Sequence, residues 1–213
     1  MLLRSENPRS WADSAGALYN LLASDQDNAE LQAKVAAAGA IPPFVKLLGS
    51  KTSNEVKIHA AGVLCILSNN ADNQVKIALA GAISPLVALL GPQSPAGVQH
   101  SAVGALRNLS RNADNQVKIA AAGAITPLVA LLGPQSPAGV QASAAGALRN
   151  LSGNADNQVK IAAAGAIPSL VALLGPQIPA GVQEVALAAL SNLAHNADNK
   201  VKIVACLNEA SAG

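Results

Sequence analysis

The sequence is dominated by a period of 42 residues. The segment Asn-Ala-Asp-Asn occurs four times at this spacing, beginning at Asn70, Asn112, Asn154 and Asn196. Residues 70–111 and 112–153 differ at only five positions, and residues 28–69 form a more diverged copy. A fixed period of about 20 to 50 residues is typical of an array in which each unit packs against its neighbours. The period therefore predicts a solenoid, because one unit of this size cannot bury enough apolar surface alone.

We expect four full repeats flanked by two partial ones. The full repeats cover 28–69, 70–111, 112–153 and 154–195, and the partial ones cover 1–27, as a fragment or cap, and 196–213. Terminal repeats of a solenoid need polar outer faces, and neither end offers an obvious one. We therefore expect a fragment of a longer array, a frayed C-terminus, or self-association through the uncapped ends.

Each repeat is divided by glycine and proline into three helical segments, most clearly in residues 112–153. Asn112 is a suitable N-cap for the first helix, and Gly123 can adopt the left-handed conformation that ends it. Thr126-Pro127 is expected to begin the second helix, because proline is favoured in the first turn. The third helix is expected from about Val140 to Ser152. The predicted fold class is all-α, with three helices per repeat.

The second and third helices of each repeat carry recurring motifs. The second helix reads Gly-Ala-Ile-Xaa-Pro-Leu-Val-Xaa-Leu-Leu and the third contains Ala-Leu-Arg-Asn-Leu-Ser. These segments resemble armadillo repeats. The run from Leu106 to Ser110, followed by Asn-Ala-Asp-Asn-Gln, is most similar to repeats of plant U-box ubiquitin ligases and of the yeast vacuolar armadillo scaffold. The resemblance implies a right-handed superhelix whose third helices line a concave groove for an extended peptide. It implies a protein interaction scaffold or, alternatively, the substrate-recruiting part of a ubiquitin ligase whose U-box is not in these 213 residues.

The resemblance also implies a ladder of third-helix asparagines that bind the peptide backbone. The matching residues are Asn20, Asn108, Asn150 and Asn192, whereas the position in the repeat 28–69 is Ile66. Armadillo proteins that bind nuclear localisation signals usually have tryptophan four residues before this asparagine. Here those positions hold Gly62, Gly104, Gly146 and Ala188. This departure argues against that mode of binding. These glycines have two interpretations. The first is structural, either a close contact between helices or a tolerated glycine copied by duplication, and the second is a smooth floor of the groove.

The side of the third helix opposite its apolar stripe can be derived from helical spacing alone. It carries His100, Gly104, Arg107 and Arg111, with Ser101 and Asn108 on its flank. Carboxylates and phosphates suit the arginine fork, so Arg107 and Arg149 predict a preference for a neutral or acidic extended segment. The alternative is that the asparagines bond to the backbone of the neighbouring repeat and the arginines form a solvated face.

Composition narrows the functional classes. A formal charge of +2 is too small to predict a nucleic-acid partner. The two cysteines and three histidines lack metal-ligand spacing, so we expect no metal or other cofactor. The repeats contain no clustered acid, base or nucleophile, and we expect no enzymatic activity. No secretory signal or membrane-spanning run is apparent, so we expect no membrane insertion and a cytoplasmic location, with the nucleus as the alternative.

Overall fold

The computed structural model describes residues 8–25, 28–49 and 51–212, with the side chains of 13–25, 28–49 and 51–210. These residues form fourteen α-helices. The predicted all-α class and the three helices per repeat are confirmed. Of the partial N-terminal repeat, residues 1–7 and 26–27 lie outside the described residues. Within the described ranges, no helix is both long enough and apolar enough to cross a membrane.

The helices follow one another in a fixed order along each repeat. The first helices are α2 (Ala29–Ala37), α5 (Ala71–Leu79), α8 (Ala113–Ala121), α11 (Ala155–Ala163) and α14 (Ala197–Ala212). The second helices are α3 (Ile41–Leu47), α6 (Ile83–Ala88), α9 (Ile125–Ala130) and α12 (Ala166–Ala172). The third helices are α1 (Pro8–Ala23), α4 (Asn54–Leu67), α7 (Ala96–Leu109), α10 (Ala138–Leu151) and α13 (Ala180–Leu193).

The chain divides into two compact units after Asn112. In the first unit, the third helices α1, α4 and α7 pack side by side, with α4 between the other two. The second helices α3 and α6 cover α4 and α7 from the other side. Phe44, Leu64 and Leu106 are fully buried in this core. The packing follows from the helical spacing of aliphatic residues, which places one apolar stripe along each helix.

In the second unit, α10 packs against α13, while α9 and α12 lie on α10 and α13 respectively. Leu128, Leu148 and Leu170 are fully buried among these helices. The last helix, α14, packs mainly on α12 and also touches α11 and α13. The same aliphatic pattern therefore produces the same layering in both units.

The predicted ends of the helices are correct for the first helix and shifted for the others. Gly123 has φ +80° and follows α8 as expected. The second helix begins at Ile125, before Thr126-Pro127, because its N-cap Ala124 is already helical and no extended capping residue intervenes. The third helix is Ala138–Leu151, so it starts two residues earlier than predicted and directly after Pro137.

A second set of asparagines, in the first helices, holds neighbouring repeats together. Asn73 is fully buried, and its Nδ2 donates to the Leu67 carbonyl at 3.1 Å and to the Gln32 carbonyl of the preceding repeat at 3.3 Å. Asn157 and Asn199 make the same bond to the preceding first helix in the second unit. These residues complete buried backbone hydrogen bonds, which explains why a polar residue recurs at a core position.

Candidate functional site

The candidate site lies on what we call the third-helix face, which is described for each unit by itself. In the first unit it is defined by His100, Ser101, Gly104, Arg107, Asn108 and Arg111 on α7 and by the equivalent positions of α1 and α4, and in the second unit by the equivalent positions of α10 and α13. Ser101 and Arg107 are half-buried, while His100 and Arg111 are exposed. In the first unit these side chains stand beside those of α4 because α7 packs along that helix. The face is therefore accessible at His100 and Arg111, partly accessible at Ser101 and Arg107, and buried at Asn108.

Asn108 connects α7 to the preceding third helix. Its Nδ2 donates to the Cys65 carbonyl at 3.0 Å and to Asn69 Oδ1 at 2.9 Å, and only 8% of the residue is exposed. The inter-repeat bond considered as the alternative role of the asparagines is thus present. It uses the amide nitrogen, whereas a carboxamide has a separate oxygen that accepts hydrogen bonds.

Cys65 and two arginines form the basic centre of the face in the first unit. Burial raises the pKa of the Cys65 thiol from 9.0 to about 11, although the charges of Arg107 and Arg111 act in the opposite direction. The thiol is therefore protonated at neutral pH and is a poor nucleophile. The positive charges of the arginines are not neutralised by a thiolate at this position.

The third-helix glycines provide space for side chains of the preceding third helix. A methyl group added to Gly62 would lie 2.6 Å from Cε2 of Tyr19, and one added to Gly104 would lie 3.0 Å from Sγ of Cys65. Of the two interpretations of these glycines, close helix contact is therefore observed at both positions. The side chain that precedes the asparagine position in one repeat rests on the glycine of the next.

The asparagine ladder is interrupted in the first unit. Asn20 on α1 is exposed, but α4 between α1 and α7 has Ile66 at the equivalent position, and Ile66 is buried. Beside this gap, the rings of Tyr19 and His59 lie 5.8 Å apart between their centroids. Asn20 and Asn108 are thus separated by a helix that has no carboxamide at the equivalent position.

In the second unit, α10 and α13 repeat the arrangement seen at Asn108. Asn192 Nδ2 donates to the Arg149 carbonyl at 3.1 Å, and the Arg149 side chain is exposed. Asn150 is half-buried and also interacts within the protein. Asn192 thus makes the bond to the backbone of the neighbouring repeat that is the alternative role of the asparagines.

The sequence analysis missed the structural role of the first-helix asparagines, and it did not identify Tyr19 as the partner of Gly62. The available signals were the strict recurrence of asparagine inside a helix and glycine in a helix interior, which is unfavourable unless a close contact requires it. Among the described residues, no group of three histidine, cysteine, aspartate or glutamate side chains could hold a metal ion.

Comparison with known proteins identifies the repeat. The sequence profile of the armadillo/beta-catenin-like repeat family matches residues 70–111, 112–153 and 154–195. No curated protein matches the chain.

Solved structures match nearly the whole chain. The designed armadillo repeat protein YIII(Dq)4CqI is 32% identical with a TM-score of 0.86, over 96% of this chain and 85% of that one. A structure of computationally designed armadillo repeat proteins for modular peptide recognition gives the same values. The designed protein YIII(Dq.V1)4CPAF, in complex with the peptide (KR)4, is 34% identical with a TM-score of 0.79, over 90% and 79% of the two chains. With a family profile that covers more than half of its residues and an all-helical fold shared with these structures, the chain belongs to the armadillo repeat family.

Proposed function

We propose that the chain is a non-catalytic interaction scaffold whose third-helix face binds an extended peptide segment of neutral or acidic character. The observation that carries this proposal is that an arginine lies next to a third-helix carboxamide in each unit. Arg107 precedes Asn108 on α7, and the exposed Arg149 lies beside the backbone bond made by Asn192. A carboxamide can bond a peptide backbone, and a guanidinium can fork onto a carboxylate or phosphate.

The hydrogen bonds between third helices support this proposal as well as the stability of the array. Because Asn108 Nδ2 is held by Cys65 and Asn69, its Oδ1 has a fixed direction. Under the proposal, Oδ1 accepts a hydrogen bond from a peptide N–H. A side chain that is already ordered loses less conformational entropy when it binds.

The charge preference separates this chain from the relative that was solved with (KR)4. The third-helix positions of the central repeats carry His100, Arg107, Arg111 and Arg149, and none of these is acidic. Basic side chains repel a basic peptide and attract an acidic one. We therefore expect (KR)4 to bind weakly and to serve as a negative control.

The proposal is tested by fluorescence polarisation with three extended peptides, one acidic, one neutral and one (KR)4. Exchange of Arg107 and Arg149 for glutamate should weaken binding of the acidic peptide by about tenfold or more, since two attractive charges become repulsive. Lys118→Glu with Lys160→Glu is the matched control, because it makes the same charge change on exposed positions of first helices. Equal binding by both double variants would contradict the proposal.

A ubiquitin ligase would use the same face to recruit its substrate, so this alternative differs only in the presence of a U-box elsewhere in a longer protein. Ubiquitin transfer to the bound partner by the native, full-length protein would distinguish it from a scaffold. We propose a cytoplasmic location for either role.

A further inference from the structure

Helix α7 ends in two arginines that lie one helical turn apart on the third-helix face. Arg107 is in the last turn of the helix, and Arg111 follows the C-cap Ser110. The Arg111 backbone N–H donates to the Asn108 carbonyl at 3.2 Å, so the turn continues to this residue. Side chains four residues apart on a helix are neighbours, with about 5 to 6 Å between their Cβ atoms. The two guanidinium groups can therefore reach one ligand group at the same time.

The positive charge of this pair is not balanced by the helices around it. Helix α4 packs along α7, and its position equivalent to Arg111 holds Asn69, which bonds Asn108. The acidic residues of the helices packed on α7 in the first unit are Glu55 and Asp72, each exposed in the first turn of its own helix. Within the ranges that the structure describes, Arg111 forms no ion pair with a carboxylate. Like charges at this spacing repel each other, and a bound anion removes that repulsion.

The two most similar repeats of the chain differ at this pair. The second and third full repeats differ at only five positions, and one of these exchanges replaces Arg111 by Gly153. Arg107 is kept as Arg149. Helix α7 therefore offers two positive charges to a ligand at a place where α10 offers one.

A phosphorylated side chain matches the arginine pair better than a carboxylate does. A carboxylate carries a single negative charge, and one guanidinium can bond both of its oxygens. A phosphorylated serine or threonine carries a charge of about −1.5 to −2 at neutral pH and has three strong acceptor oxygens. Two guanidinium groups can balance this charge and share these oxygens. The Cys65 thiol beside the pair does not compete with the ligand, because burial raises its pKa to about 11 and it stays neutral.

We propose that Arg107 and Arg111 together bind a phosphorylated serine or threonine of the extended partner segment, whereas Arg149 meets a side chain with at most one negative charge. The proposal rests on the proposed function, since it assigns one residue of the peptide that the third-helix face binds. Arg111 is then the residue that sets the preference for phosphate. Phosphorylation of the partner would increase its affinity for this chain.

The proposal is tested by fluorescence polarisation of the whole chain with one peptide in three forms. The peptide consists of glutamine and threonine with a central serine, which is left free, phosphorylated or replaced by glutamate. The phosphorylated form should bind about tenfold or more tightly than the glutamate form, because its additional charge meets the second arginine. Arg111→Gln should reduce this preference to about twofold or less, with little change in the affinity for the glutamate form. Lys118→Gln removes one positive charge from an exposed position of a first helix and should keep the preference.

Moving the arginine pair to the other repeat sharpens this test. In the Arg111→Gln background, Gly153→Arg places an arginine one turn after Arg149 and should restore the preference for the phosphorylated form. The substitution suits the site because the near-identical repeat has arginine there. Thermal unfolding verifies that each variant is folded. It also reveals a purely structural role, since a cation near a helix C-terminus can stabilise the helix without binding a ligand.

The outcomes separate this proposal from the proposed function. Equal affinity for the phosphorylated and glutamate forms would overturn it, and the proposed function would stand if both bound more tightly than the serine form. Equal affinity for all three forms would overturn both. A preference that survives Arg111→Gln, or that Gly153→Arg does not restore, would overturn the assignment to the arginine pair. Arg111-dependent binding to phosphatidylcholine vesicles that contain phosphatidate, without a preference among the peptides, would also overturn it.

Discussion

The two asparagine ladders share a residue type and a period, but they differ in their surroundings. In the second unit, Asn157 is 2% exposed and its Nδ2 bonds two backbone carbonyls, those of Leu151 and Gln116. Asn192, on the third-helix face, is half-buried and its Nδ2 bonds one, that of Arg149. Recurrence alone therefore does not separate a structural polar residue from one suited to binding. Burial and the number of bonds made within the protein do, and by both measures Asn108 resembles the buried ladder while Asn192 is the member better suited to binding.

The largest expected effect comes from removing an asparagine of the buried ladder in the first helices. Asn157→Ala should lower the free energy of unfolding by about 2 kcal/mol, because two buried carbonyls lose their donor. Asn192→Ala should cost about 1 kcal/mol or less and should weaken peptide binding. Urea denaturation and fluorescence polarisation of both variants provide the measurements. If Asn192→Ala were as destabilising as Asn157→Ala and left peptide affinity intact, the third-helix asparagines would be structural alone.

An intermediate effect is expected when the third-helix glycines that contact the preceding third helix are replaced by alanine. Gly62→Ala should destabilise the protein by about 1 to 2 kcal/mol, because the added methyl group meets the Tyr19 ring at 2.6 Å. Gly104→Ala should be close to neutral, since the 3.0 Å contact is with the end of the Cys65 side chain and alanine favours the helix by about 0.5 to 1 kcal/mol.

The double variant Gly62→Ala with Tyr19→Ala provides the control for this prediction. In the Tyr19→Ala background, Gly62→Ala should lower the free energy of unfolding much less than it does in the unmodified protein. A double-mutant cycle in urea measures this difference. Additive losses would show that the tyrosine ring is not the cause.

The smallest effect concerns the Cys65 thiol and its pH dependence. Because its pKa is raised from 9.0 to about 11, the folded state holds this proton more tightly than the unfolded chain does. Its contribution is fully present below pH 9 and is lost as the pH rises towards 11, with a loss of roughly a few tenths of a kcal/mol at pH 9. The difference in unfolding free energy between the unmodified protein and Cys65→Val isolates this term from other groups. A difference that is constant from pH 7 to about pH 10 would contradict the assignment.

The sequence predicts the helices better than the contacts between them. The 42-residue period and Gly123 fix the class of the fold and the end of a first helix, because glycine is the residue that adopts a positive φ without strain. The start of the second helix at Ile125 is missed because the chain passes from Gly123 through a helical Ala124, with no side-chain cap to mark the boundary.

The candidate site shows the same division between local and long-range information. Its arginine positions follow from helical spacing, and its asparagine ladder follows from the resemblance to armadillo repeats. The bond from Asn108 to Cys65 joins residues 43 apart, and the raised pKa of Cys65 depends on the packing of α4 and α7, so neither can be read from local sequence.

The seating of Tyr19 on Gly62 and of Cys65 on Gly104 has a consequence for anyone who recombines these repeats. The module that must be transferred intact is not one 42-residue segment but the junction between two. A graft that placed tyrosine before the asparagine position, ahead of a repeat with alanine in place of this glycine, would bring the methyl group against the ring, as at Tyr19 and Gly62. Arg149, which precedes Ala188 in this chain, has an exposed side chain instead. Libraries assembled from interchangeable repeats should therefore vary the two positions as a linked pair.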